Sequence, residues 1–231
     1  MLSEDKLTKY FRRIYKTAPG FTGVCYRAVW REYADQNAVI QASGSFLGGG
    51  RYNMEAAFGA LYLSCDPKTC IDECVRSIHI NPTEMAGKLP RMIVGLKVEV
   101  SKILKLSKED ILKPTLLRKI DLLDLDWVQK QQDGEEVKTQ LVGKVAKSVG
   151  FEAIVVPSAR RDGCNLNLFP DNLLSTSKIT LVNVSGLCPT SKNYDEARSA
   201  SLDYLEKQVS RNLTDQEKKS LFCLPGNIVC S

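Results

Sequence analysis

The sequence predicts a fold of the α+β class, and two observations support this prediction. The 231-residue chain is 43% hydrophobic and 26% charged, which is close to the average of globular proteins. Apolar residues recur at helical spacing in some segments and form short strand-like runs in others. We expect one folded domain over residues 1–187 and a helical C-terminal extension of unknown role over residues 188–231.

Helices and strands are assigned from the same patterns. Helices are expected over residues 3–17, which pack on the domain, over most of 107–149 and over 194–209. A capping box at Thr214 opens a further short helix, after which the chain end is expected to be unstructured. Strands are expected over residues 24–30, 60–64, 92–100, 151–156, 165–169 and 179–184.

A further helix is expected directly after the strand at residues 60–64. Asp66 suits the N-cap position, and Pro67 suits the first helical position. The apolar stripe of this helix consists of Ile71, Cys74, Val75 and Ile78. Glu73 then falls on the opposite face, where it is either a solvated acid or an acid that faces a cleft.

Charge and hydropathy exclude several classes of function. The formal net charge is +5, and the clusters Arg12-Arg13 and Arg160-Arg161 are too short for a nucleic-acid groove. The chain contains no run of 18 apolar residues, so no membrane-spanning helix is expected. The N-terminus lacks the apolar stretch of a signal peptide. We therefore expect a cytoplasmic protein that contacts neither membrane nor nucleic acid.

Histidine and cysteine usage argues against metal and triad chemistry. The single histidine, His79, disfavours Ser-His-Asp and Cys-His catalysis and any site with several histidines. The eight cysteines are expected to be free thiols. The spacing of Cys65, Cys70 and Cys74 fits neither a zinc nor an iron–sulfur motif, so buried inert thiols are expected there.

Residues 41–53 are expected to form a glycine-rich loop. Its three consecutive glycines precede Arg51, but neither a Walker A motif nor a dinucleotide fingerprint is present. A tight turn is the simpler interpretation of the glycines alone. Arg51 adds a guanidinium group that suits phosphate or carboxylate oxygens.

The order of several segments is more informative than any one of them. Tyr26-Arg27 is followed by Gly-Gly-Arg-Tyr-Asn at 49–53, Ala-Leu-Tyr-Leu at 60–63, Glu73, Val-Val-Pro-Ser at 155–158 and Asn-Leu-Asn-Leu-Phe-Pro at 165–170. This series resembles the RES family over residues 21–185. The Arg, Glu and Ser that name the family match Arg27, Glu73 and Ser158.

The resemblance implies a fold, an activity and a set of roles. The fold would be an ADP-ribosyltransferase-like core of small mixed or antiparallel sheets with packed helices. The activity would be cleavage of the nicotinamide–ribose bond of NAD+, with NAD+ as substrate and no metal. Arg27, Glu73 and Ser158 would be catalytic, and NAD+ would be held by Arg27, Arg51, Tyr52, Tyr62 and Asn165.

Glu73 would stabilise the oxocarbenium-like ribose, because a carboxylate favours the positive charge that develops there. Arg27 and Arg51 would bind the diphosphate, and Tyr62 would stack on nicotinamide or shape its slot. Simpler structural roles remain open for three of these residues: Arg27 as a paired strand arginine, Tyr62 as packing and Ser158 as a turn cap.

The resemblance also implies a biological role, a bacterial toxin that depletes NAD+ and is paired with an Xre-type helix-turn-helix antitoxin. Hydrolysis and phosphorolysis both remain open. One alternative is a protein mono-ADP-ribosyltransferase, and another is an inert RES-like binding module. The sequence also leaves open whether residues 188–231 mediate homodimerisation, dock a partner or pack on the core.

Overall fold

The computed structural model describes residues 3–30, 39–80, 91–106, 117–123, 126–182 and 228–230, together with residues 206, 212, 214 and 215. The described strands form one mixed sheet of eight strands with helices packed against it, which confirms the α+β class. The strands are β1 (Phe21–Trp30), β2 (Leu61–Ser64), β3 (Arg91–Val100), β4 (Ile103–Lys105), β5 (Ala153–Pro157), β6 (Cys164–Leu168), β7 (Lys178–Val182) and β8 (Ile228–Cys230).

The order of the strands in the sheet is β4-β5-β6-β2-β1-β3-β7-β8. The β4–β5 and β7–β8 pairs are parallel, and the other pairs are antiparallel. At the centre, β2 is paired to β1 only through Tyr26 and Ser64, whereas β1 and β3 are paired along their full length. The sheet therefore consists of two well-paired halves that a short ladder joins.

Six described α-helices surround the sheet. They are α1 (Glu4–Tyr15), α2 (Ser43–Gly48), α3 (Pro67–Ile80), α4 (Lys119–Leu122), α5 (Trp127–Gln132) and α6 (Lys138–Val149). Helix α1 begins at an N-cap serine, Ser3, whose side chain accepts a hydrogen bond from the Lys6 amide, and it packs on α6. Helix α6 ends at Gly150, whose φ of 105° gives the left-handed cap that favours glycine.

Each face of the sheet carries a hydrophobic core. Because side chains alternate along a strand, Leu61 and Leu63 lie in one core with Phe46 of α2, while Tyr62 packs on the other. The second core contains Phe11 of α1 and much of α6. Four of the five residues of β5 are buried, because both faces of the strand are covered. This explains why the sequence of β5 is a continuous apolar run.

Most predicted elements are confirmed, and three differ. The predicted loop at 41–53 contains α2, a helix of one and a half turns that is too short for a periodic signal. Strand β4 has three residues and was not predicted for the same reason. Residues 228–230, expected to be unstructured, pair with β7 as β8. Residues 107–116 lie outside the described residues, as does the predicted helix at 194–209 except for residue 206. Of the capping box at 214–217, the second half also lies outside them.

The expectation of free thiols is wrong for one pair of cysteines. Cys65 and Cys164 form a disulfide, with Cα atoms 5.5 Å apart and 99 residues of separation in sequence. The two residues lie at neighbouring ends of β2 and β6, where the Cys65 amide also donates to the Cys164 carbonyl at 2.9 Å. Cys25 and Cys70 are buried thiols as expected, and burial raises the pKa of Cys25 to about 12.

Candidate active site

Glu73 is positioned by the first two turns of α3. The Asp66 carboxylate accepts hydrogen bonds from the Thr69 amide at 2.9 Å and from the Thr69 hydroxyl at 2.6 Å. These bonds lower the pKa of Asp66, and they confirm Asp66 as the N-terminal cap of α3. Helix α3 therefore leaves the end of β2 in a fixed direction that carries Glu73 to the neighbouring ends of β5 and β6.

The Glu73 carboxylate is bound by side chains from two other strands. The Ser158 hydroxyl, just after β5, donates to Oε1 at 2.9 Å, and the Asn165 amide on β6 donates to the same oxygen at 3.0 Å. Within the described part of the chain, Oε2 has no hydrogen-bond donor. Two donors therefore fix one oxygen of this half-buried carboxylate.

Two further contacts fix the orientation of these donors. The Ser64 hydroxyl at the end of β2 donates to Oδ1 of Asn165 at 3.0 Å, so the amide nitrogen of Asn165 points to Glu73. The Arg160 amide donates to the Ser158 hydroxyl at 3.1 Å, which leaves the hydroxyl proton for Glu73. Sequence reasoning missed Ser64, although a polar residue at a strand end beside Asn165 was a usable signal.

The predicted apolar stripe of α3 is wrong where it can be tested. Ile71 is 45% exposed, whereas Thr69 and Cys70 are buried on the side of the helix that also presents Glu73. The side chains of residues 74–80 lie outside the description. Hydrogen bonds from Ser158 and Asn165 to Glu73 hold this side of the helix against the strand ends. Of the two readings of Glu73, the half-buried and hydrogen-bonded carboxylate does not fit a fully solvated acid.

Tyr62 connects β2 to the glycine-rich segment. Its hydroxyl accepts a hydrogen bond from the Tyr52 amide at 2.9 Å and donates to Oδ1 of Asn53 at 2.8 Å. Gly50 lies so close that a Cβ atom there would meet the Tyr62 hydroxyl and Oδ1 of Asn53. The tight-turn interpretation of the glycines is thus supported by Gly50 and by Gly49, which has a φ of 66°.

Tyr52 and Arg51 follow the turn and have different environments. Tyr52 is 2% exposed, its hydroxyl donates to the Leu122 carbonyl at 3.3 Å, and Gly143 leaves room for its backbone. Burial raises the pKa of the Tyr52 phenol, and the nearby charges of Arg51 and Glu73 act on it in opposite directions. Tyr52 therefore anchors the segment in the core, while the adjacent Arg51 is half-buried beside the site.

Arg27 lies on β1 and its guanidinium contacts the backbone. Its Nη1 atom donates to the Val39 carbonyl at 2.8 Å. Strand alternation places Arg27 on the sheet face of Cys25 and Val29, whereas the paired residues Tyr26 and Ser64 lie on the opposite face. The structure therefore joins Glu73, Ser158 and Asn165 by direct contacts, and it places Arg27 on the other side of β1.

Arg160, which sequence reasoning also missed as a site residue, lies two residues after Ser158. Burial lowers the pKa of its guanidinium, while Glu73 raises it and Arg51 lowers it further. Arg160 is thus close enough to both residues to feel their charges. Its position directly after the Val-Val-Pro-Ser segment was the signal that could have identified it.

The site combines the Glu73 carboxylate with the nearby guanidinium groups of Arg51 and Arg160. A carboxylate with one available oxygen stabilises a neighbouring positive charge, and guanidinium groups bind phosphate or carboxylate oxygens. In the described ranges, no group of three His, Cys, Asp or Glu side chains could hold a metal ion. The described helices include none that is long and apolar enough to cross a membrane.

Comparisons with known proteins identify the family of this chain. The family model described as the RES domain matches residues 24–183 of the chain. A chain of the crystal structure of the M. tuberculosis MbcT–MbcA toxin–antitoxin complex has a similar fold, with a TM-score of 0.53 and 20% sequence identity. That match covers 73% of this chain and 83% of the other. No curated protein is similar enough in sequence to match. On the family match over most of its length, this chain belongs to the RES domain family.

Proposed function

We propose that this protein is an NAD+-cleaving enzyme that breaks the nicotinamide–ribose bond. The observation that carries the proposal is the Glu73 carboxylate, whose Oε1 is fixed by Ser158 and Asn165 while Oε2 faces no described donor. When nicotinamide leaves, it becomes neutral and the ribose gains positive charge. A carboxylate that is already oriented stabilises this charge without further reorganisation.

The other described residues support the same reaction. Ser158 and Asn165 orient Glu73, and Arg51 and Arg160 supply positive charge for the diphosphate of the substrate. Tyr62 shapes the floor of the site, since its hydroxyl is committed to Tyr52 and Asn53 and its ring remains half-buried. The chemistry assigned to these residues requires neither a metal ion nor a histidine.

We propose a toxin role with a partner antitoxin, which the fold similarity to a chain of the MbcT–MbcA complex and membership of the RES domain family support. We propose an Xre-type antitoxin whose terminal segment occupies the cleft and blocks NAD+. Co-purification of the two proteins, followed by a measurement of NAD+ turnover in the complex, tests this arrangement. A complex that turns over NAD+ at the rate of the free enzyme would contradict it.

The decisive test measures nicotinamide release from NAD+ by chromatography, with and without inorganic phosphate. Glu73→Gln keeps the size of the side chain but removes its charge, and we expect turnover to fall about 100-fold or more. Asp72→Asn is the matched control, because Asp72 is the adjacent carboxylate and its exposed side chain pairs with Arg161. We expect this control to retain turnover within a few-fold.

The products distinguish the remaining possibilities. Dependence on phosphate indicates phosphorolysis, and release without phosphate indicates hydrolysis. ADP-ribose attached to a protein, seen only when a lysate is added, would replace the proposal with the transferase alternative. If the wild-type protein releases no nicotinamide under any of these conditions, the proposal is wrong and the chain is a binding module.

A further inference from the structure

The Cys65–Cys164 disulfide lies where the β5–β6 turn meets the start of α3. Cys65 follows the last residue of β2 and directly precedes Asp66, the N-terminal cap of α3. Cys164 is the first residue of β6 and pairs with Pro157, the last residue of β5. The bridge therefore joins the start of the helix covalently to the turn that connects two other strands.

Each of the two segments that the bridge joins carries part of the candidate site. Helix α3 carries Glu73, whereas the other segment carries Ser158 and Asn165, the two donors to Oε1 of Glu73. Asn165 and its hydrogen-bond partner Ser64 each adjoin one of the bridged cysteines in sequence. A change in the separation of the two cysteines would therefore change the alignment of the carboxylate with its donors.

Noncovalent contacts between the same two segments would persist if the bridge were opened. The Cys65 amide donates to the Cys164 carbonyl at 2.9 Å, and the β2–β6 ladder continues from there along β2. Gly163 packs so closely on the start of α3 that a Cβ atom there would meet Oγ1 of Thr69. A hydrogen bond and a van der Waals contact restrain a separation less tightly than an S–S bond. Reduction would thus loosen the site without separating the strands.

The surroundings of the bridge differ from those of two other cysteines. Cys65 and Cys164 are partly exposed and pack against one hydrophobic core, whereas Cys25 and Cys70 are buried thiols. Thiol–disulfide exchange requires access to one of the bridged sulfurs. The partial exposure of both bridged residues supports such access, and the buried Cys25 should remain unreactive.

We propose that Cys65 and Cys164 form a reversible modification site, through which a dithiol reductant controls the alignment of Glu73 and lowers turnover. A thiolate of the reductant attacks one sulfur of the bridge, which breaks the S–S bond and forms a mixed disulfide. The other cysteine leaves as a thiolate and takes up a proton. The second thiol of the reductant then displaces the remaining cysteine, which is also protonated. The protein gains two electrons and two protons, and the reductant, which loses them, becomes a cyclic disulfide.

The effect of reduction on turnover, which rests on the proposed function, is measured as nicotinamide release with and without dithiothreitol. Alkylation and peptide mass spectrometry establish when residues 65 and 164 become free thiols. We expect kcat to fall about 10-fold on reduction, because Glu73 is less well oriented, and to recover after reoxidation with oxidised glutathione. Tm should fall by about 5–15 °C, with the far-UV circular dichroism spectrum retained.

Two variants separate the bridge from other effects of the reductant. The double variant Cys65→Ser, Cys164→Ser cannot form the bridge, so it should have the kcat of the reduced wild type and no further response to dithiothreitol. Cys25→Ala is the matched control, because Cys25 is a buried thiol on the opposite face of the sheet from Ser64. It should respond to the reductant as the wild type does. An equal response in the double variant and the wild type would contradict the proposal.

Hydrogen exchange measures the alignment of the site without requiring turnover. The Arg160 amide donates to the Ser158 hydroxyl at 3.1 Å, so its exchange reports on the turn that binds Glu73. We expect exchange in peptides covering residues 158–165 to become several-fold faster on reduction, with peptides from the β1–β3 ladder unchanged. This result supports control of the site by the bridge even if the protein releases no nicotinamide, an outcome that would count against the proposed function alone.

Three results would overturn the proposal. The first is free thiols at positions 65 and 164 after treatment with oxidised glutathione, since the bridge would then not form. The second is reduction that leaves both kcat and hydrogen exchange unchanged, which would make the bridge a structural crosslink only. The third is loss of the far-UV spectrum on reduction, because the bridge would then control folding rather than the site.

Discussion

Two glutamates, Glu73 and Glu152, show how the same side chain serves opposite purposes in this fold. Glu152 is 0% exposed and its carboxylate accepts four hydrogen bonds. The Ser101 and Lys102 amides donate to Oε2 at 2.8 Å each, while the Leu174 amide, at 3.2 Å, and the Ser177 hydroxyl donate to Oε1. Glu73, by contrast, is half-buried and bonded through one oxygen alone in the described part of the chain.

The difference lies in how each carboxylate is satisfied. Both oxygens of Glu152 accept hydrogen bonds, one from the β3–β4 turn and the other from the turn before β7. Glu152 therefore links these two turns to its own segment before β5, and it has little capacity left for a ligand. Glu73 is held in a defined orientation through one oxygen, and no described residue donates to the other. A saturated buried carboxylate thus indicates a structural role, whereas a half-satisfied one is a candidate for a functional role.

The largest effect on stability is expected from Glu152→Gln. The new amide group cannot accept from all four donors, so the free energy of unfolding should fall by about 3 kcal/mol. Urea denaturation followed by fluorescence measures the change. Glu99→Gln is the control, because the Glu99 carboxylate lies near the surface and pairs with Lys97, and it should destabilise the protein much less than Glu152→Gln. Equal losses in the two variants would show that Glu152 is not a structural anchor.

A smaller effect, on turnover and not on stability, is expected from Asn165→Ala. This change removes one of the two donors to Oε1 of Glu73, so the carboxylate is less well oriented and nicotinamide release should fall about 10-fold. Initial rates measured at several NAD+ concentrations separate kcat from KM. The fall should appear in kcat, with the free energy of unfolding changed by about 1 kcal/mol or less. A loss confined to stability would place Asn165 with Glu152 rather than with Glu73.

The smallest effect is expected from a third carboxylate, Asp121, which is saturated but lies near the surface. Burial alone would raise its pKa, but hydrogen bonds from Arg118 and Lys138 outweigh burial and hold the pKa at about 2. Because the folded-state pKa is below the ordinary value, these bonds stabilise the fold above about pH 4, and the contribution is lost as the pH falls toward 2.

Comparison of Asp121→Asn with the wild type measures this contribution. At pH 7 the variant should be less stable by about 1 kcal/mol, since the ion pairs are partly exposed to solvent. The difference should shrink toward zero at pH 2, where the wild-type carboxyl is itself increasingly protonated. A difference that is independent of pH would show that Asp121 acts by packing and helix capping alone.

Much of the fold was predictable because its signals are local. The helix start at Asp66-Pro67, the apolar run of β5 and the alternation along β3 are each properties of fewer than a dozen neighbouring residues. Helix α2 and strands β4 and β8 were missed because three to six residues carry no reliable period. The side of α3 that faces inward was also missed, because polar contacts to distant strands determine it.

The sequence by itself determined the class of the fold, most of its helices and strands, and membership of the RES domain family through the order of its motifs. Tertiary structure decided the details of the site. It brings Glu73 into contact with Ser158 and Asn165, which lie 85 and 92 residues away in sequence. It also pairs Cys65 with Cys164, which are 99 residues apart in sequence. Such contacts depend on which strands become neighbours in the sheet, and no local pattern of residues encodes that pairing.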